Sequence, residues 1–131
     1  MFAVIIKTVI IMGILLTLLY FFPIVAVVGD SMYPTYRDKE LLLGRSKFNA
    51  DNIKVGDVVV FKTPYVRDKL LIKRVYAIHE EVFSDSKSFF MLGDNRDNSN
   101  DSRNFGWIDE EDLVAVVINP RERRVDENDS L

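Results

Sequence analysis

The chain has 131 residues, 48% hydrophobic and 28% charged, one domain's worth of ordinary globular composition, which excludes wholesale disorder. Its 17 Lys and Arg against 20 Asp and Glu, formally −3, exclude the broad basic face of a general nucleic-acid binder. With no cysteine and a lone histidine, His79, the composition also excludes disulfides, thiolate zinc, a cysteine nucleophile and a multi-histidine metal site.

From Thr8 to Val28 run 21 residues without a charge, dense in Ile, Leu, Val and Phe. About 20 apolar residues in a helix cross a hydrocarbon core of about 30 Å. Tyr20, Phe21 and Phe22 ahead of Pro23 read as an aromatic belt and a helix end. A buried core helix is usually shorter, about 10–14 apolar residues. A cleaved leader would need a small-x-small site, yet Ile24 stands two residues before Ala26. The span therefore reads as an uncleaved anchor over residues 1–23. Lys7 precedes it, and charges of both signs follow (Asp30, Arg37, Asp38), so charge leaves the orientation open.

After the anchor the apolar runs are short and β-branched. Ile24–Val28 is extended in character, and Glu40–Gly44, Asp57–Phe61, Leu70–Ile78, Ser88–Leu92 and Asp112–Ile118 are strand candidates separated by turn residues. A short helical turn is expected near Phe48–Ile53, with Asn49 or Asp51 as cap. The expected fold is mostly β, a small coiled antiparallel sheet or partly open barrel over residues 24–120 behind one transmembrane helix. Residues 121–131 form a charged tail, expected to be frayed.

Three clusters carry chemistry. Gly29-Asp30-Ser31-Met32-Tyr33-Pro34-Thr35 puts a serine on a glycine-preceded turn, where a nucleophile would find exposure and backbone amides for an oxyanion. Taken alone, serine in a turn is more often only a turn residue. Lys73 lies in the apolar run Leu70–Val75. On alternation it and Arg74 face opposite sides. A solvated lysine is the commoner outcome; a buried one loses proton affinity and becomes a general base. Gly93 to Arg103 (GDNRDNSNDSR) reads as a self-bonded polar loop. As a calcium hand starting at Asp97 it fails, with Ser102 at the glycine position and Ile108 at the glutamate position.

In order along the chain, an apolar anchor, GDSMYPT at 29–35, GDVVVF at 56–61 with Pro64, IKRV at 72–75 and GDNRDNSNDSR at 93–103 closely resemble the type I signal peptidases. These are membrane-anchored serine endopeptidases that remove leader peptides from exported proteins. The resemblance implies Ser31 as nucleophile, Lys73 as general base and Ser99 orienting the amine. It implies the ion pairs Arg74–Asp94 and Asp101–Arg103. The substrate cleft would be bordered by Gly29 to Met32 and walled by Val27, Met32, Val60 and Ile72, which suits small residues one and three positions before the cut. It implies no cofactor and no metal. The partners would be preprotein signal peptides and the lipid bilayer, not nucleic acid, and the catalytic part would stand outside the cytoplasmic membrane on a single span.

The chain also departs from that family. IKRV continues into Tyr76-Ala77-Ile78-His79-Glu80-Glu81, where a glycine and a Pro-Gly-Asp turn are usual, so the strand end is expected to be remodelled. Only 20 positions separate Lys73 from Gly93, where larger members insert a β-rich domain, so the expectation is a minimal catalytic core. Gly29 stands where some members supply an oxyanion-binding serine, and Asp38-Lys39 replaces a usual Gly-Asp pair. Archaeal and endoplasmic-reticulum relatives use histidine in place of the lysine. This chain keeps Lys73, and His79 reads as a surface or turn residue. A self-cleaving repressor-like Ser-Lys peptidase and a degenerate, membrane-tethered peptide-binding module are the rival readings.

Overall fold

The computed structural model describes residues 1–125. Helix α1 spans Phe2–Phe21 and none of its side chains is buried, so it is long and apolar enough to cross a membrane and projects away from the domain. Its two threonines are accommodated internally: Thr8 and Thr17 hydroxyls donate to the carbonyls of Val4 and Gly13, one turn back. Pro23 ends it, and the domain satisfies the carbonyls left over. The Ser46 hydroxyl donates to Tyr20 O, the Ser46 amide to Phe21 O and the Gly44 amide to Pro23 O. The Lys47 ammonium sits 5.2 Å from the Tyr20 ring centroid.

Seven strands follow: β1 (Ile24–Ala26), β2 (Leu41–Arg45), β3 (Val58–Thr63), β4 (Val66–Glu80), β5 (Lys87–Leu92), β6 (Ile108–Asp109) and β7 (Leu113–Val117). They make one open antiparallel sheet in the order β1-β2-β7-β3-β4-β5-β6. The mostly-β expectation holds, as do all the candidate runs. The helical turn near residue 50 is a single 3-10 turn, Ala50–Asn52, capped by the Asn49 side chain.

Both faces of the central strands are covered, which explains their near-continuous Val and Ile runs. Val59, Phe61, Val75, Phe89 and Met91 anchor one core with Phe105 and Ile108. Val58, Val60 and Ile72 anchor the other with Val27, Met32, Tyr36 and Ala115. Each fully buried Val, Phe or Met contributes about 1.5–3 kcal/mol.

The strand end beyond IKRV is remodelled as expected, whereas the charged segment differs from expectation, and both have physical causes. Beyond IKRV the chain makes no turn: β4 runs on to Glu80, and the register slips between Val75 and Ala77, which leaves Tyr76 as a bulge. The charged segment is docked at its start. The Arg121 amide donates to the Tyr36 hydroxyl and the Arg124 amide to Thr35 Oγ1, while residues 126–131 lie outside the described part.

Candidate active site

The turn carrying Ser31 is held from below and from the side. Gly29 takes φ +83, open to glycine and costly to most residues, and its amide donates to the Asp38 carboxylate. Tyr33 N–H bonds Asp30 O and Tyr36 N–H bonds Met32 O, closing the turn. Met32 and Tyr36 point into the second core, so Ser31 is left half-buried at the rim. Lys39 adopts φ +67, the conformation a glycine would normally fill. The loop into β2 thus passes through an uncommon backbone state at Lys39.

In β4, Lys73 stands opposite Val59 and Arg74 opposite Val58. Successive side chains leave opposite faces, and because each face has its own core both cations are buried. The solvated alternative for Lys73 is therefore overturned: it is 4% exposed. Its Nζ lies 2.7 Å from Ser31 Oγ, 42 residues away in sequence. Burial lowers its pKa to about 8, against the opposing pull of Asp101 and Asp94.

The polar loop after β5 supplies the charges that make this burial tolerable. Arg74 forks onto Asp94 with Nε–Oδ1 and Nη2–Oδ2 both 2.8 Å, and Nη1 donates to Gly56 O. Arg103 forks onto Asp101 at 2.9 Å through Nε and Nη2. Burial would raise the Asp101 carboxyl; the Arg103 fork, the Gly93 amide and Ser99 outweigh it and hold the carboxyl below its ordinary range. Asp101 also caps the short helix α2 (Ser102–Phe105) in a reciprocal box with Asn104. Ser99 Oγ is buried and makes no hydrogen bond of ordinary geometry, to Lys73 or otherwise.

Gly93 and Asn95 join this loop to the Ser31 turn. Asn95 N–H donates to Ser31 O at 2.9 Å and its side-chain amide to Asp30 O at 3.0 Å. A Cβ on Gly93 would meet Ser99 Oγ and would lie 2.6 Å from Ser31 O. Neither role was evident in the sequence, where both residues read as ordinary turn formers.

A cleft of about 270 Å³ has Ser31 and Lys73 in its wall and reaches Pro23 at the helix exit. Val60 and Ile72 line it as expected, together with Ala26, Val28, Leu71 and Ala115. Val27, Gly29 and Met32 do not. β1 exposes alternate residues, so Ala26 and Val28 face out while Val27 enters the core, and Met32 anchors the turn. His79 is exposed on β4, with its ring centroid 5.9 Å from that of Trp107, and is absent from the cleft wall.

The family model described as "Signal peptidase, peptidase S26" matches residues 1–82 and 84–120. The chain belongs to the signal peptidase family. It is 36% identical over 98 residues to the signal peptidase complex catalytic subunit SEC11C of Homo sapiens, Mus musculus and Canis lupus familiaris. The alignment covers 71% of this chain and 48% of each relative, so this signal peptidase family member spans about half the length of the curated relatives it matches.

Proposed function

We propose that the protein is a membrane-anchored serine endopeptidase that removes signal peptides from exported preproteins with a Ser-Lys dyad. The observation that carries this reading is the 2.7 Å contact between Ser31 Oγ and a lysine amine walled off from water. With a pKa of about 8, roughly half the Lys73 amines are neutral at pH 8. An ordinary lysine would be neutral in only about 0.3%. The gain is about 150-fold in competent base.

Neutral Lys73 takes the Ser31 proton as Oγ attacks the scissile carbonyl. The tetrahedral oxyanion is held by the Ser31 amide, since Gly29 offers no hydroxyl. Collapse breaks the C–N bond, and Lys73 passes its proton to the departing amine, leaving the signal peptide as an ester on Ser31. Lys73 then takes a proton from water as its oxygen attacks the ester; the C–Oγ bond breaks, and Lys73 returns the proton to Ser31 Oγ, releasing the signal peptide as a carboxylic acid and restoring both residues. Ser99, the serine that the resemblance assigns to orienting the amine, would do so only by accepting from Lys73 Nζ, a bond its buried Oγ does not make in this structure. Arg74–Asp94 and Asp101–Arg103 fix the loop that carries these groups. Small cleft walls at Ala26 and Ala115 and branched ones at Val28, Val60 and Ile72 suit short apolar side chains near the cut. No step calls for a metal or a cofactor.

Helix α1 is read as a single span of the cytoplasmic membrane, with the domain on the extracytoplasmic side. Because the cleft reaches Pro23, a signal peptide leaving the bilayer as a helix would meet the site at high local concentration. The test is processing of one preprotein in detergent micelles. Wild type is expected to cut, with a rate that rises through pH 8, while Ser31→Ala and Lys73→Ala do not. Binding without cutting by wild type would instead identify a peptide-holding module, and activity that stays flat well below neutrality would remove Lys73 as base.

A further inference from the structure

The segment Arg121–Arg124 touches both halves of the site, although no cleft-lining or dyad residue belongs to it. On one side it grips the far end of the nucleophile turn. The Arg121 amide donates to the Tyr36 hydroxyl at 2.7 Å, and Arg121 Nη1 donates to Thr35 O at 3.1 Å. The Arg121 guanidinium lies 5.0 Å from the Tyr36 ring centroid and pairs with Glu40, which itself accepts from the Arg37 amide. The Arg124 amide donates to Thr35 Oγ1 at 2.9 Å. On the other side the Arg123 guanidinium donates twice to Asp94 O, at 3.1 and 3.2 Å. Asp94 is the residue whose carboxylate holds Arg74, the neighbour of Lys73 in β4.

Thr35, Tyr36 and Asp94 are each 1% exposed, so these are contacts to the buried frame of the site. Within the sheet, Ser31 precedes β2 and Lys73 lies in β4, and the two strands are separated by β7 and β3. Sheet pairing therefore does not tie the turn directly to the loop after β5. Outside the dyad contact, hydrogen bonds from Asn95 and from this segment tie the two among the described residues.

We infer that Arg121 and Arg123 form a positioning strap that holds the Ser31 turn against the Asp94 loop and keeps Ser31 Oγ on the Lys73 amine. The inference rests on the dyad reading above. Neither arginine is a catalytic residue; each acts through the backbone it holds. The Lys73 amine touches Ser31 from the turn and feels the charges of Asp101 and Asp94 in the loop. Loosening the turn would admit water to that amine and remove part of the desolvation that lowers its proton affinity.

The test compares wild type, Arg121→Ala, Arg121→Lys and Arg123→Ala as full chains in detergent micelles. It uses two readouts, kcat and KM for one preprotein across pH, and the pH midpoint of Lys73 acetylation by trace acetic anhydride. Arg121→Ala and Arg123→Ala are expected to lose on the order of 10- to 100-fold in kcat with KM within about twofold, as for a misplaced reacting group. The Lys73 labelling midpoint should rise from about 8 in wild type towards an ordinary lysine. Arg121→Lys, which keeps the charge beside Glu40 and the cation over Tyr36, should recover part of both.

A labelling midpoint and kcat unchanged in both alanine variants would overturn the inference. So would a loss of activity that follows only the folded fraction, with the midpoint unmoved. If wild type labels near pH 8 and the alanine variants shift, yet no chain cuts a preprotein, the strap stands and the peptidase reading falls.

Discussion

Replacing Lys73 by methionine separates what the amine does for chemistry from what its burial costs the fold. Its pKa is lowered from 10.5 to about 8, a difference of about 2.5 units. At 1.36 kcal/mol per unit that is about 3 kcal/mol of differential interaction, to order of magnitude. The sign follows from proton uptake. Below pH 8 both folded and unfolded chains carry the charge, and the folded chain bears the full desolvation cost. Between pH 8 and 10.5 the unfolded chain binds more protons, so wild-type stability rises with pH; above 10.5 the cost is gone. Methionine has no charge to bury, but the variant gives up the bond to Ser31, worth about 1 kcal/mol. Lys73→Met should therefore be inactive and about 2 kcal/mol more stable than wild type at pH 7. It should lose that advantage by pH 10.5 and end about 1 kcal/mol less stable. Guanidinium unfolding of both chains in the same detergent, followed at pH 7, 9 and 10.5, reads this directly. Other lysines titrate equally in the two chains and cancel. A stability difference that does not change with pH would refute the argument.

Other substitutions probe the frame. On the dyad reading, Gly93→Ala should cut kcat by at least about 100-fold with a modest effect on KM, because its Cβ would lie too close to Ser31 O and displace that turn; steady-state kinetics on one preprotein decide it. Arg74→Met leaves the Asp94 carboxylate buried without its fork and should destabilise by about 3–5 kcal/mol, read as a lower denaturant midpoint. Lys39→Gly relieves a left-handed lysine and should stabilise by up to about 1 kcal/mol in the same assay, with processing unchanged. His79→Ala should leave the processing rate within about twofold of wild type, since exposed substitutions away from buried networks are usually near neutral.

The strands were legible because their side-chain pattern is local: Val-rich runs between Gly, Pro and Asp announce themselves whichever partner they find. The long apolar helix was legible for the same reason. The environment of Lys73 was not, since alternation says only that Lys73 and Arg74 diverge, and burial on both sides depends on two cores assembled from distant segments. Likewise Val27 and Met32 were expected in the cleft wall. Which of Val27 and Val28 faces out depends on the phase of β1, set by its pairing of Ile24, Val25 and Ala26 with Leu43, Leu42 and Leu41. The bulge at Tyr76 and the docking of Arg121 to Arg124 were hidden because both depend on partners at long separation: Met91 and Phe90 flanking the slip, Thr35 and Tyr36 beneath the arginines. Charge alone made residues 121–131 look solvated, although two of the arginines find carbonyl acceptors and a third an acceptor for its amide.

The place of β7 has a bearing on timing. Among the described residues it is the last strand in the chain, yet it sits between β2 and β3 and joins the serine-bearing edge of the sheet to the lysine-bearing hairpin. A nascent chain that has grown only to Asp112 contains both Ser31 and Lys73 and lacks the strand that brings their halves into one sheet. On the peptidase reading, a copy that has not yet added β7 would carry serine and lysine on unjoined halves and would be unable to cut.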